Sequence, residues 1–161
     1  MEGDGEDPYL GSRMAEAQVR GFQGDHIGTP HHLLACLKHF AGYGGAAGGR
    51  DYEESSISDE QLENVYLPPF HAGVKAGAGS LMSGYMDLND MPGTGNRWLL
   101  HDVLRDRRHF AGFVVSDWES VQNQQHRVSP PIQKTRQREP LTLAWIWKWS
   151  ATCTASRFQL L

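Results

Sequence analysis

The sequence predicts an α/β fold with parallel strands, and three observations carry that reading. Helix-patterned and strand-patterned segments alternate from residue 12 to Asp117. The apolar runs Leu33–Phe40, Ser80–Tyr85 and Phe113–Val115 are separated by helix-length stretches, as crossover connections between parallel strands require. Phe113-Val114-Val115 is a continuous apolar run with two β-branched residues, the pattern of a strand buried on both faces.

Each element has its own local signal. Residues 12–23 read as a helix stopped by Gly24. Leu33–Phe40 reads as a strand that passes through Lys38 and His39 into a glycine-rich loop at 41–50. Ser58-Asp59-Glu60-Gln61 is a capping box and opens a second helix. Pro68-Pro69 is expected to interrupt that helix, with a further piece running to about Ala76. Ser80–Tyr85 is the next strand, followed by a loop that holds Asn89 and Pro92. Asn96 caps a helix whose Leu99, Leu100, Val103 and Leu104 fall on one side. The last strand ends at Asp117. The sequence contains no internal repeat.

Composition excludes several classes. The 161 residues carry a net charge of −4 and no basic stripe, which argues against a nucleic-acid partner. No apolar run approaches the roughly 20 residues that span a membrane. The acidic start, Met1-Glu2-Gly3-Asp4-Gly5-Glu6-Asp7, is not a signal peptide. Cys36 and Cys153 make neither a disulfide framework nor zinc spacing. The histidines form no His-Glu-x-x-His pair, so no metal or cofactor is expected. Gly42-Tyr43-Gly44-Gly45 resembles a loose dinucleotide fingerprint, but Gly48-Gly49-Arg50-Asp51 cannot open the helix such a site needs.

The candidate chemistry lies at strand ends. In a parallel fold, residues just past a strand's carboxyl end face the active-site mouth. Asp117 there can act as a nucleophile, and Trp118 can lie against the apolar face of a sugar ring. Asp117 can equally cap a helix. Lys38 and His39 can donate hydrogen bonds to adjacent hydroxyls or stand as a solvated strand end. Tyr85 can set its hydroxyl beside a neighbouring carboxylate or serve as a core tyrosine.

Taken together the motifs resemble glycoside hydrolase family 3, the β-glucosidase and β-xylosidase group. The resemblance runs from Glu2 to Ser120. It rests on Glu2-Gly3-x-Gly5-Glu6-Asp7-Pro8, Val19-Arg20-Gly21-x-Gln23-Gly24, Lys38-His39-Phe40-x-x-Tyr43-Gly44 and Gly49-Arg50-Asp51-Tyr52. Further along it rests on Leu67-Pro68-Pro69-Phe70, Leu99-Leu100-x-x-Val103-Leu104-Arg105 and Gly112-Phe113-Val114-Val115-Ser116-Asp117-Trp118. The resemblance implies a partial (β/α)8 TIM-type barrel over residues 1–121 and retaining hydrolysis of terminal β-D-glucosyl or xylosyl residues. It makes Asp117 the catalytic nucleophile, and Lys38, His39, Met82, Tyr85 and Trp118 substrate-binding residues. The substrate it implies is a β-linked glucoside or oligosaccharide.

Gly84, Asp90 and Ser56 depart from the usual pattern and bear on substrate preference. Residues 41–56 lack the histidine of the N-acetylglucosaminidase branch, so the glucosidase-like branch is the better match. That branch takes its acid/base from a C-terminal domain. A whole barrel needs about 250 residues. The chain therefore reads as an internal fragment, missing the rest of its barrel and that further domain. It is expected to be inactive alone and to aggregate through unpaired strand edges. A sugar-binding protein without turnover is the alternative. The compartment is not legible, although relatives are often periplasmic or secreted.

The character changes after Val121. Residues 122–140 are rich in Gln, Arg and Pro, and Trp145, Trp147 and Trp149 fall within five residues. Residues 122–161 are expected to form no domain and to be irregular. Trp has the single codon TGG, and reading Trp145–Trp149 from each third base yields Asp, Met or Leu, Glu, then Met or Val. With its permitted neighbours this becomes Gly-Val-Asp-Met-Glu-Met, which resembles a family 3 run downstream of the nucleophile. The tail therefore reads as out of frame, with a genuine Trp-rich segment such as an interfacial strand as the alternative, and resequencing of the coding DNA near codons 119–139 decides between them.

Overall fold

The computed structural model describes residues 3–122 and 146–147. Four parallel strands form one sheet in the order β1-β2-β5-β6: β1 Cys36–Phe40, β2 Ser80–Ser83, β5 Phe113–Val115 and β6 Ile146–Trp147. Helices fill the crossovers from β1 to β2 and from β2 to β5, so the parallel α/β reading holds.

Helix α1 spans Pro8–Gln23 and starts four residues earlier than the sequence predicts. Asp7 caps it, with Oδ1 accepting from the Tyr9 and Leu10 amides at 2.8 and 3.3 Å. Pro8 fits the first turn, where no N–H is needed. Gly24 ends the helix at φ 69°, as expected. Strand β1 is shorter than the apolar run. The Leu33 amide donates to the Phe22 carbonyl and the Ala35 amide to Gln23 Oε1, so the end of α1 takes these groups from the ladder.

Ser58 caps α2, Asp59–Gln61, by accepting from the Gln61 amide. The prolines do not interrupt the helical path beyond it. Leu62–Tyr66 winds as a π turn, with the Leu67 amide reaching the Leu62 carbonyl, and α3 continues over Leu67–Lys75. Pro68 and Pro69 fall at the head of α3, where a missing N–H costs little.

Ladder pairing in β2 stops at Ser83, two residues before Tyr85, because the chain turns there toward a small hairpin. The predicted loop around Asn89 is this hairpin, β3 Asp87–Leu88 against β4 Met91–Pro92. Asn89 and Asp90 sit at φ 49° and 63°, the pair of left-handed residues that a type I′ turn needs. Asn96 Oδ1 accepts from the Leu99 amide and caps the helix Trp98–Arg107, wound in the π form. Ladder pairing in β5 ends at Val115 and leaves Ser116 and Asp117 just beyond the sheet.

The register explains the core. Leu37, Leu81 and Val114 stand in one row across the sheet. Leu81 and Val114 are buried with Leu62, Leu67, Leu99 and Leu104 from the helices. The next row, Cys36, Ser80 and Phe113, points to the opposite face. There Phe113 is 43% exposed and Cys36 is also exposed, while Ser80 between them is buried, so the described residues cover this face only in part.

One part of the tail differs from the irregular structure expected of it. Ile146 and Trp147 pair in parallel with Val114 and Val115. The free edge of β5 offers unpaired backbone groups, and β-branched and aromatic residues suit a strand there. The rest of the predicted tail, with Trp145, Trp149 and Cys153, lies outside the described residues.

Candidate active site

The carboxyl ends of β1, β2 and β5 bring most of the predicted site residues to one rim. His39 is the next-to-last residue of β1, and its Nε2 lies 3.8 Å from Asp117 Oδ2. Both side chains are largely buried, at 11% and 14% exposed, so water screens this pair less than a surface pair. Asp117 Oδ1 accepts from the Trp118 amide at 2.6 Å. That bond leaves Oδ2 as the oxygen turned toward His39. The Trp118 side chain is 44% exposed at the rim.

Met82 stands opposite Val115 in the ladder and is half-buried. Tyr85 follows two residues after β2, and its ring lies 4.6 Å from that of Tyr52. Lys38 precedes His39 on β1 and is exposed. Partial desolvation of the Cys36 thiol raises its pKa and outweighs the lowering by a hydrogen bond with Ser80 and by the Lys38 charge.

Sequence reasoning missed three residues around this rim. Tyr43 packs its ring 4.9 Å from that of His39, and its hydroxyl donates to Asp51 Oδ1 at 2.6 Å. Tyr52 holds its ring against Tyr85 from a backbone at φ 66°, a conformation rare for a bulky residue and one that marks functional sites. The signal was present: Tyr43 sits in the glycine loop after β1, and Asp51 and Tyr52 directly follow it, where a parallel fold puts its chemistry.

A groove of about 720 Å³ runs along the free edge of β1, between residues 3–8 and α3, and reaches Lys38, His39 and Tyr43. A smaller cleft of about 270 Å³ beside Tyr52 is lined by Asp51, Glu53, Glu54 and Asp87. Among the described residues, one His/Asp group sets its ligand atoms within 4.8 Å of one another: His101, Asp102 and Asp106 on the exposed side of their helix. It lies on Trp98–Arg107, outside the rim, and His101 already contacts both carboxylates.

The profile of the glycosyl hydrolase family 3 N-terminal domain matches residues 1–142. The chain belongs to glycosyl hydrolase family 3. It is 42% identical over 120 residues to a periplasmic β-glucosidase of Salmonella typhimurium, covering 74% of this chain and 16% of the relative. It is 48% identical over 123 residues to a β-xylosidase of Formosa agariphila, covering 74% and 17%. Among solved structures it is similar to the β-glucosidase of Listeria innocua in complex with isofagomine, with a TM-score of 0.77 at 36% identity over 84% of this chain and 19% of that one. The chain thus spans about one sixth of the length of these two sequence relatives. Its family 3 segment contains the whole rim, from His39 to Trp118. No helix among the described residues is long and apolar enough to cross a membrane.

Proposed function

We propose that this chain carries the nucleophile side of a retaining β-glycosidase site, with Asp117 as the nucleophile. The observation that supports it most is Asp117 itself. The carboxylate stands past the end of β5, one oxygen engaged by the Trp118 amide and the other facing His39. In this reading Oδ2 attacks the anomeric carbon of a β-glucoside or β-xyloside. The bond to the leaving-group oxygen breaks, and a glycosyl ester forms on Asp117. Water then attacks the anomeric carbon and frees the carboxylate. Lys38 and His39 bind sugar hydroxyls, Met82 and Tyr85 line the pocket, and Trp118 borders the ring.

The proton for the leaving group comes from a second carboxyl, which in retaining enzymes lies roughly 5–5.5 Å from the nucleophile. The family resemblance puts that acid in a further domain. The four-stranded sheet is, in the same reading, an arc of a (β/α)8 barrel. The face that carries Phe113 and Cys36 would line the barrel interior. Such an interior is normally a packed core, which accounts for apolar side chains on that face.

An activated aryl 2-deoxy-2-fluoro-β-glucoside needs little acid assistance. Incubated with the chain, it is expected to form a slow covalent adduct that peptide mass spectrometry maps to Asp117. Ordinary β-glucosides are expected to turn over negligibly, since general acid catalysis alone is worth roughly 10²–10⁴-fold. A label on another residue, or an equal label in Asp117→Ala, would overturn the assignment.

A further inference from the structure

We propose that Thr94 is a positioning residue for Asp117, acting through a buried relay of three hydroxyls. The catalytic part of this statement rests on Asp117 being the nucleophile. Ser83 at the end of β2, Thr94 after the hairpin and Ser120 after Asp117 are 0%, 1% and 4% exposed. Ser83 Oγ lies 2.8 Å from Thr94 Oγ1, and Thr94 Oγ1 lies 2.8 Å from Ser120 Oγ. Ser120 Oγ reaches the Asp117 carbonyl at 3.1 Å, as does the Ser120 amide.

One arrangement of the three protons joins the hydroxyls into a relay directed at Asp117. A carbonyl only accepts, so Ser120 spends its single hydroxyl proton on Asp117. The 2.8 Å contact between Thr94 and Ser120 then needs the Thr94 proton. In that arrangement Thr94 accepts from Ser83, whose Oγ also lies 3.5 Å from the Val115 carbonyl, a weaker acceptor. The Gly84 carbonyl, 3.3 Å from Thr94 Oγ1, is a secondary acceptor. Buried hydroxyls aligned in one direction polarise one another and hold a single geometry.

Gly93 brings Thr94 into reach. A Cβ at Gly93 would lie 2.8 Å from the Gly84 carbonyl oxygen and 3.1 Å from that of Met86, so only glycine lets this turn lie on the end of β2. The relay therefore links two strand ends that share no covalent turn. It fixes the Asp117 backbone from below while the Trp118 amide fixes Oδ1 from the side. Together they leave Oδ2 as the presented oxygen. Thr94 does not touch the carboxylate; its shorter link to Asp117 runs through Ser120, beside the longer contact of Ser83 with the Val115 carbonyl at 3.5 Å.

The test reads the Trp118 amide in the 161-residue chain, labelled with ¹⁵N-tryptophan and assigned by the loss of one peak in Trp118→Phe. The wild-type amide is expected far downfield and slow to exchange, and Asp117→Ala is expected to abolish both properties. Thr94→Val removes the hydroxyl. It is expected to lose the downfield shift and to exchange roughly tenfold faster, the upper range for one lost hydrogen bond. Thr94→Ser is expected to restore both.

A merely structural threonine would lower the melting temperature of Thr94→Val and leave the Trp118 signal of the folded protein unchanged. That outcome overturns the proposal. So does a failure of Thr94→Ser to restore the signal, or a wild-type chain without the downfield amide. If Thr94→Val does not fold, Ser120→Ala breaks the last link alone, and a wild-type Trp118 signal in that variant counts equally against it. The nucleophile reading is judged separately, by the trapped sugar. An intact relay with no label on Asp117 rejects that reading and leaves the relay standing.

Discussion

His71 shows how a single residue couples the helices to pH. It sits on α3, with Nδ1 buried and without a hydrogen-bond partner. Its pKa is lowered first by burial, then by the charges of Arg108 and Lys75. The folded state therefore takes up the proton at lower pH than the unfolded state, whose midpoint is near 6.5. The His71 contribution is fully present above about pH 6.5 and is lost as the pH falls toward the lowered midpoint. Denaturant titrations from about pH 7.5 to about pH 5 are expected to show a steeper loss of stability in the wild type than in His71→Gln. Parallel curves would remove His71 as the cause. Asp117 is the other residue on which an expectation concentrates, and the covalent trap with the fluorinated glucoside decides its role.

At the scale of elements, Gln23 does more than end a helix. Its buried Oε1 accepts from the Ala35 amide at 3.0 Å and the Gly79 amide at 2.9 Å, and its Nε2 donates to the Gly77 carbonyl at 2.9 Å. One side chain thus satisfies the backbone leading into both β1 and β2 and ties them to α1. Gln23→Leu leaves two buried amides without acceptors, each costing about 1–3 kcal/mol. A loss of roughly 2–4 kcal/mol in a denaturant titration is expected. A change under about half a kcal/mol would mean that water or a local shift replaces the side-chain amide. The hydroxyl relay through Thr94 is the counterpart at the other end of the sheet. Gln23 orders where the strands begin, and Thr94 orders where they end.

At the scale of the molecule, the described residues cover one face of the sheet, and the other only in part. Parallel sheets are ordinarily covered on both faces, yet Phe113 on the open side is 43% exposed. Phe22, Ile27 and Leu33, at 53%, 57% and 73%, add apolar surface near the start of β1. A free strand edge along the 720 Å³ groove completes a surface suited to association. The chain is expected to bind a hydrophobic dye and to sediment as concentration-dependent assemblies. A monomer at all concentrations that leaves the dye dark would contradict this.

Much of this protein was legible before any coordinates. Ser58 and Asn96 mark helix starts because a short polar side chain near an orphan amide acts locally, whereas the cap at Asp7 was not read from the sequence. The run Phe113-Val114-Val115 marks a strand because an apolar run rich in β-branched residues suits one, although the expected burial on both faces is not met at Phe113, which is 43% exposed. The rim followed from topology, since parallel strands present His39, Tyr85 and Asp117 at one end. Contacts between segments far apart in the chain were beyond the reach of sequence. Pro68 and Pro69 predict an interruption, but the π turn before them absorbs their missing donors. Leu33 and Leu34 read as strand until Phe22 and Gln23 take the neighbouring backbone groups. Tyr43 against His39, Tyr52 against Tyr85, and Ser83 joined to Ser120 through Thr94 depend on distances set by packing. Hydroxyls and rings carry no periodic signature, so only the tertiary structure decides which of them meet.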